Sequence, residues 1–182
     1  MLDAIKGRRE RDDEGFTLIE LMVVLLIIAI LMAIAIPTFL GARNTANARS
    51  SQSNLTNALT AEQTYWTNNQ SFSATPSALA GIESSLTWST TAATTEGGNT
   101  VTVTMSSDGQ AVELQAYAKD GNCYAIVQDN NPADSFTGYS ESPGACTVPT
   151  SLASSGVAPP AAGSAAQNFG TAADQGKLYA SF

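Results

Sequence analysis

Histidine is absent from this chain, and cations of any kind are scarce: 8 Lys and Arg stand against 16 Asp and Glu in 182 residues, a formal net charge of −8 at pH 7. Without histidine, the Ser–His and Cys–His pairs that activate many nucleophiles cannot be built. Cysteine is limited to Cys123 and Cys146, and two thiolates with no histidine make no closed tetrahedral zinc site. No glycine-rich loop ending in Lys and Ser/Thr occurs, which removes one phosphate-cradling motif of nucleotide hydrolases. The shortage of cations argues against nucleic acid as a direct ligand, because an acidic surface repels phosphate at moderate salt. Carboxylates are dispersed, and no pair is marked for acid–base work. Asp120, Asp129, Asn130 and Asp134 carry oxygens of the kind calcium prefers, but EF-hand spacing is missing and turns are rich in Asp and Asn anyway. The expectation is a protein with no enzymatic activity, no cofactor and no metal.

What the chain does have is one long apolar run. Gly15-Phe16-Thr17-Leu18-Ile19-Glu20 opens into an uninterrupted apolar stretch that continues to Ile36 and stops at Pro37. Phe16 to Ile36 is 21 residues, about 31 Å as a helix, enough to cross the hydrocarbon core of a bilayer. One carboxylate, Glu20, interrupts it near its start. An uncompensated acid in lipid costs roughly 2.5 kcal/mol or more on insertion scales, so its presence needs a specific reason. The run is too long for the 7–15-residue apolar core of a secretory signal peptide, and Leu40-Gly41-Ala42 is a poor signal-peptidase site. A plain signal anchor accounts for the length but not for the Gly-Phe-Thr-Leu-Ile-Glu junction.

These residues resemble the N-terminus of the type IV pilin and pseudopilin family. The resemblance covers residues 15 to about 72, ending in Ala61-Glu62-Gln63-Thr64-Tyr65-Trp66-Thr67-Asn68-Asn69-Gln70-Ser71-Phe72, which is similar to the passage from pilin helix to globular head. It implies cleavage by prepilin peptidase between Gly15 and Phe16 on the cytoplasmic side, followed by N-methylation of the new Phe16 amine. It also implies that Phe16 and Glu20 direct assembly of a helical homopolymer, and that Pro37 matches the helix proline of pilins. The implied partners are other copies of the chain, the prepilin peptidase, an assembly platform with its motor ATPase, and the inner membrane before assembly. The implied localisation is a single-pass membrane protein, leader inside and head outside, that becomes an extracellular pilus with a role such as cell adhesion. Two alternatives stay open: a pseudopilin of a type II secretion or DNA-uptake system, and a signal-anchored binding domain that never polymerises. The second has no need of Glu20 or of the Gly15-Phe16 junction.

The leader holds Lys6, Arg8, Arg9 and Arg11, so the positive-inside rule keeps it cytoplasmic despite Asp12-Asp13-Glu14. Beyond residue 15 the chain keeps four basic residues (Arg43, Arg49, Lys119, Lys177) against eleven acidic ones. Arg43 and Arg49, just past the apolar run, suit contact with anionic headgroups. An even cysteine count in an exported domain reads as one disulfide, Cys123–Cys146.

After Pro37 the pattern becomes amphipathic to Asn69: Ala48, Leu55, Ala58, Leu59, Ala61, Tyr65 and Trp66 recur at three- and four-residue steps. Pro37 removes a helix hydrogen bond and Gly41 weakens the next turn, so a kink or locally melted segment is expected between them. Further on, Thr100–Met105 alternates with period two, as do residues 112–118. With Cys123–Val127 they form three strands separated by Asp108-Gly109 and Asp120-Gly121, a meander with Asp-Gly turns. Ser85–Thr91 around Trp88 adds a candidate edge strand. Residues 150–176 are rich in Ala, Ser, Gly and Pro and read as a linker-like tail, while Lys177–Phe182 is apolar enough to dock back on the head. The fold class is α+β: a long N-terminal helix packed on a small antiparallel meander, divided as leader 1–15, membrane helix 16–37, amphipathic helix 38–69, β domain 70–149 and tail 150–182.

Overall fold

The structure, a computed structural model, describes residues 15–94, 96–97, 99–132, 135–147 and 177–179. The chain forms two compact units, Met1–Ala42 and Arg43–Phe182. Helix α1, Leu18–Asn69, contributes to both.

In the first unit the helix is apolar on every side. Each Leu, Ile, Val, Met and Phe from Leu18 to Leu40 is exposed, and the most apolar 18-residue window has a mean hydropathy of 3.1. A helix hydrophobic all round belongs in lipid or inside a bundle. The helix continues through Pro37 and Gly41 without a break, so the melted segment expected there is not present. Proline's fixed φ near −65° is itself helical, and its cost is the hydrogen bond that the Ala33 carbonyl loses. One residue on, the Thr38 hydroxyl donates to the Ile34 carbonyl at 3.0 Å, a back-bond of the kind that often accompanies helix bending.

In the second unit α1 buries one stripe: Ser51, Leu55, Ala58, Leu59, Ala61 and Glu62, the spacing of a single helix face. The helix stops at Gln70, whose φ of +55° turns the chain away, and Trp66 packs on Phe72 with ring centroids 4.7 Å apart and the rings tilted by 41°. A short helix α2, Pro76–Ala80, follows, with Pro at its first turn, where the missing N–H is harmless.

Among the described residues the sheet has six strands whose spatial order is their chain order: β1 Thr87–Ser89, β2 Thr100–Met105, β3 Ala111–Tyr117, β4 Asn122–Asp129, β5 Phe136–Pro143 and β6 Lys177–Tyr179. β1 runs parallel to β2 and every other pair is antiparallel. The two Asp-Gly pairs lie at the β2–β3 and β3–β4 turns, as the sequence led us to expect. At the first, Gly109 has φ +70°, and a Cβ there would sit 2.2 Å from the Ser71 hydroxyl. Its carbonyl accepts from the Phe72 N–H at 2.9 Å, so the turn is welded to the chain leaving α1. Side chains opposite one another in the registers Val103–Leu114 and Leu114–Ile126 meet Leu55, Ala58, Leu59, Phe72 and Leu79 in one core.

The other face of the sheet is also closed. Glu113, Gln115, Ala125, Val127 and Asp129 are buried. The Gln115 amide donates to Glu113 Oε1 at 2.7 Å and to the Thr147 carbonyl at 2.8 Å, and the Thr102 hydroxyl donates to the Thr91 carbonyl at 3.0 Å. Cys123 and Cys146 are bonded, with Cα atoms 5.1 Å apart, which fixes the segment carrying Thr147 against this face. A crosslink spanning 23 residues removes loop entropy from the unfolded chain worth about 3 kcal/mol in the chain-entropy account.

Glu62 sits in the core with no solvent exposure. Its Oε2 accepts from the Ser73 N–H at 3.1 Å, and Oε1 has no partner among the described residues. Burial pushes this carboxyl up to about 7, against a weaker opposing pull from the Ser73 amide. The folded head therefore binds a proton here that the unfolded chain, at an ordinary carboxyl value, has already released. Stability from this group is full below pH ~4.5 and falls as pH rises towards 7, by up to about 3 kcal/mol. Urea unfolding of the full chain in nonionic detergent, followed by Trp66 and Trp88 fluorescence, should show Glu62→Gln more stable than wild type at pH 7.5 and little different at pH 4.5. A pH-independent difference between the two proteins would contradict this assignment.

Candidate functional site

The sequence points to the start of the apolar helix, and the geometry there is specific. Thr17 is the N-cap of α1 and Glu20 stands three residues later, the S/T-x-x-E spacing of a capping box. The Glu20 N–H donates to the Thr17 hydroxyl oxygen at 3.2 Å. Glu20 Oε2 accepts from the Thr17 backbone N–H at 2.8 Å and from its hydroxyl at 2.7 Å. The first intrahelical bond, Leu21 N–H to the Thr17 carbonyl at 3.3 Å, closes the turn. An acid in the first turn also faces the positive end of the helix dipole.

Glu20 is thus not uncompensated, as its place in the apolar run suggested. One carboxylate oxygen is satisfied by Thr17, and the other, Oε1, makes no hydrogen bond among the described residues. Gly15, Phe16, Thr17 and Glu20 line a shallow open concavity, and the Phe16 ring projects from it at 89 % exposure. Within this sequence the Phe16 nitrogen is a peptide nitrogen. The arrangement offers an oriented anion with one oxygen open at the end of a helix with no polar face.

The sequence reading named Gly15, Phe16 and Glu20 but missed Thr17, although the signal for a capping box was in the spacing Thr17–Glu20. It also missed the burial of Glu62, where an acid at a core position of the helical stripe was the available signal. The oxygen ligands weighed for calcium are not gathered in one place. Asp120 bonds its own turn, accepting from the Asn122 N–H at 3.1 Å and the Tyr124 hydroxyl at 2.7 Å. Asp129, at the far end of β4, accepts from the Asn131 N–H at 2.7 Å, and Asn130 receives the Gln128 amide at 2.8 Å. Asp134 lies outside the described residues. No group of three His, Cys, Asp or Glu able to hold a metal occurs among the described residues.

Comparison with known proteins agrees with this choice of segment. Residues 11–36 match the family described as the prokaryotic N-terminal methylation motif. The chain is 40% identical over 72 residues to the type IV wide pilus major component PilA4 of Thermus thermophilus. That match takes in 40% of this chain and 55% of the relative, so the chain spans about half the length of the protein it resembles. No solved structure matches.

Removing the cap tests the local geometry. Thr17→Ala should destabilise the first turn of α1 by about 0.5–2 kcal/mol without affecting the head. In detergent micelles, amide hydrogen exchange at Glu20 and Leu21 should accelerate several-fold while exchange at Leu114 and Ile126 stays unchanged. Unaltered exchange at Glu20 and Leu21 would show that the capping box does not hold the helix start.

Proposed function

From the type IV pilin family segment that this chain carries, we propose that the protein is the structural subunit of a pilus-like filament, cleaved after Gly15 and N-methylated at Phe16. The observation that carries the reading is Glu20: an acid at the mouth of a helix exposed on all sides, held by Thr17 through one oxygen and open at the other. In lipid such an acid is costly, roughly 2.5 kcal/mol or more. A filament gives it a function.

Cleavage exposes a cationic amine on Phe16, about 6 Å along the helix from Glu20. In a bundle of such helices, the open Oε1 of one subunit meets the Phe16 amine of another. Thr17 keeps the carboxylate aimed and supplies the remaining hydrogen bonds, the condition under which a buried ion pair repays its desolvation. A subunit docked out of register buries both charges unpaired, so the pair selects register more than it adds stability. The apolar side chains Val23, Leu26, Ile27, Ile30 and Ile34 then exchange lipid contacts for contacts with other helices. The unmade hydrogen bond at Pro37, next to Gly41, marks the turn where the helix would bend or extend as a subunit leaves the bilayer. Prepilin peptidase, an assembly platform and its ATPase are the partners this cycle requires. A pilus is favoured over the short fibre of a pseudopilin because the relative in Thermus is the major component of a wide pilus.

Two substitutions test the cycle. Gly15→Leu should leave the leader attached, read as an unshortened intact mass in membrane extracts; a mature chain starting at Phe16 in that variant would remove the assigned cleavage site. Glu20→Ala separates a polymer from an anchor by sign. A simple anchor inserts as well or better without the acid, by roughly 2–3 kcal/mol, whereas a filament subunit loses the partner of a buried amine at a cost of about 3–5 kcal/mol. Normal membrane level with lost sheared filaments is the expected outcome. Filaments at wild-type yield would exclude Glu20 from assembly.

A further inference from the structure

We propose that the head carries a binding site for a phosphate group, formed by α1 and the loops flanking β1 and β3. A cavity of about 140 Å³ is lined by Asn47, Ser50, Ser51, Gly97, Asn99 and Lys119. All six belong to the second compact unit. The lining holds one ammonium, two amides and two hydroxyls, and no carboxylate. In a chain whose formal charge is −8, an acid-free cavity with a lysine in its wall is an electropositive exception.

Two of the donors are uncommitted. The Asn47 side-chain N–H₂ is buried and has no hydrogen-bond partner among the described residues, although a buried amide donor normally has one. Lys119 makes no hydrogen bond or ion pair among the described residues. The two acids adjacent in sequence to the lining are engaged elsewhere: Glu96 takes the Tyr117 hydroxyl at 3.5 Å, and Asp120 takes the Asn122 N–H at 3.1 Å and the Tyr124 hydroxyl at 2.7 Å. Asn99 is already engaged, donating to the Ser85 carbonyl at 3.2 Å and accepting from Asn54 at 3.4 Å, and it acts as a fixed wall. Asn54 and Ser85 therefore hold this wall from α1 and from the loop before β1.

The lysine is also placed. Gly97 has φ +82°, and a Cβ built on it would stand 2.3 Å from both Cγ and Cε of Lys119. The Gly97 N–H is pinned to the Tyr117 carbonyl at 2.9 Å, so the lysine stem lies across a backbone that only glycine can supply. An ammonium, an unpaired amide and two adjacent serine hydroxyls around a volume of this size suit a tetrahedral oxyanion, with lysine acting as the point charge. A phosphate of this kind comes either from an anionic lipid headgroup or from a soluble phosphate ester.

The test uses the full chain, isotope-labelled, in nonionic-detergent micelles. Sodium phosphate titrated at constant ionic strength should produce saturable amide shifts confined to Asn47, Ser50, Ser51, Gly97 and Lys119, with sodium acetate and chloride giving none. Lys119→Gln, a surface change that leaves the amide spectrum of the core in place, should weaken phosphate binding at least fivefold. Gly97→Ala, which displaces the lysine stem, should do the same. In nanodiscs, the same shifts appearing with phosphatidylglycerol but not with phosphatidylcholine, before any phosphate is added, assign the lipid headgroup. Shifts that appear only on adding phosphate assign a soluble ester. Shifts in neither setting, or phosphate binding unchanged in Lys119→Gln, overturn the proposal.

Discussion

An α-helix that is apolar on every face has no stable place in water, and α1 begins as one. From Leu18 to Leu40 each large side chain is exposed, so this half must be surrounded by lipid or by other helices. Beyond Ala42 the same helix becomes one-sided, and the stripe from Ser51 to Glu62 is closed by the sheet. One element therefore answers to two solvents. The charge at its start and the proline within it belong to the first half, and the core and the sheet belong to the second.

That division explains why the polar groups of the two halves are handled differently. Glu20 is shared between a local partner, Thr17, and an open side, which suits the proposed role of a group that passes from a membrane to a contact with another subunit. Glu62 is enclosed, holding one backbone N–H from Ser73 and, among the described residues, nothing on its other oxygen. A protonated acid at that point costs the head little, and an ionised one costs more. The head is accordingly stabilised towards mildly acidic pH by the same burial that makes its core.

Much of this was legible in the residues. β2 is the stretch Thr100–Met105 that its alternation marks, and the Asp-Gly turns that bound β3 fall where turn chemistry puts them, because local signals and tertiary packing agree there. β5 was not legible. Its sequence from Phe136 to Pro143 contains Gly138, Ser140 and Ser142 and has no apolar alternation, since it is held by its register with β4 and not by a hydrophobic face of its own. The parallel pairing of β1 with β2 depends on a connection that no short-range signal records. The second buried face of the sheet depends on Thr91, Cys146 and Thr147, residues that only the disulfide and the folded loops bring near. At the candidate site the acid and its neighbours were visible from spacing and resemblance. The part played by Thr17 rests on cap hydrogen bonds with Glu20 that the three-residue spacing permits but does not require.

The central claim is that the open oxygen of Glu20 in one subunit receives the Phe16 amine of another. Filaments grown from a mixture of two pools, one carrying ¹⁵N-phenylalanine and the other ¹³C-carboxyl glutamate, isolate this contact, because the proposed N-terminal Phe16 amine would be spectrally distinct from the amide nitrogens. Solid-state dipolar recoupling should then place the amine nitrogen within about 4 Å of a glutamate carboxyl carbon from the other pool, and Glu20→Gln should abolish the dephasing in any filaments that still form. No inter-pool dephasing of the Phe16 amine in wild-type filaments would contradict the account.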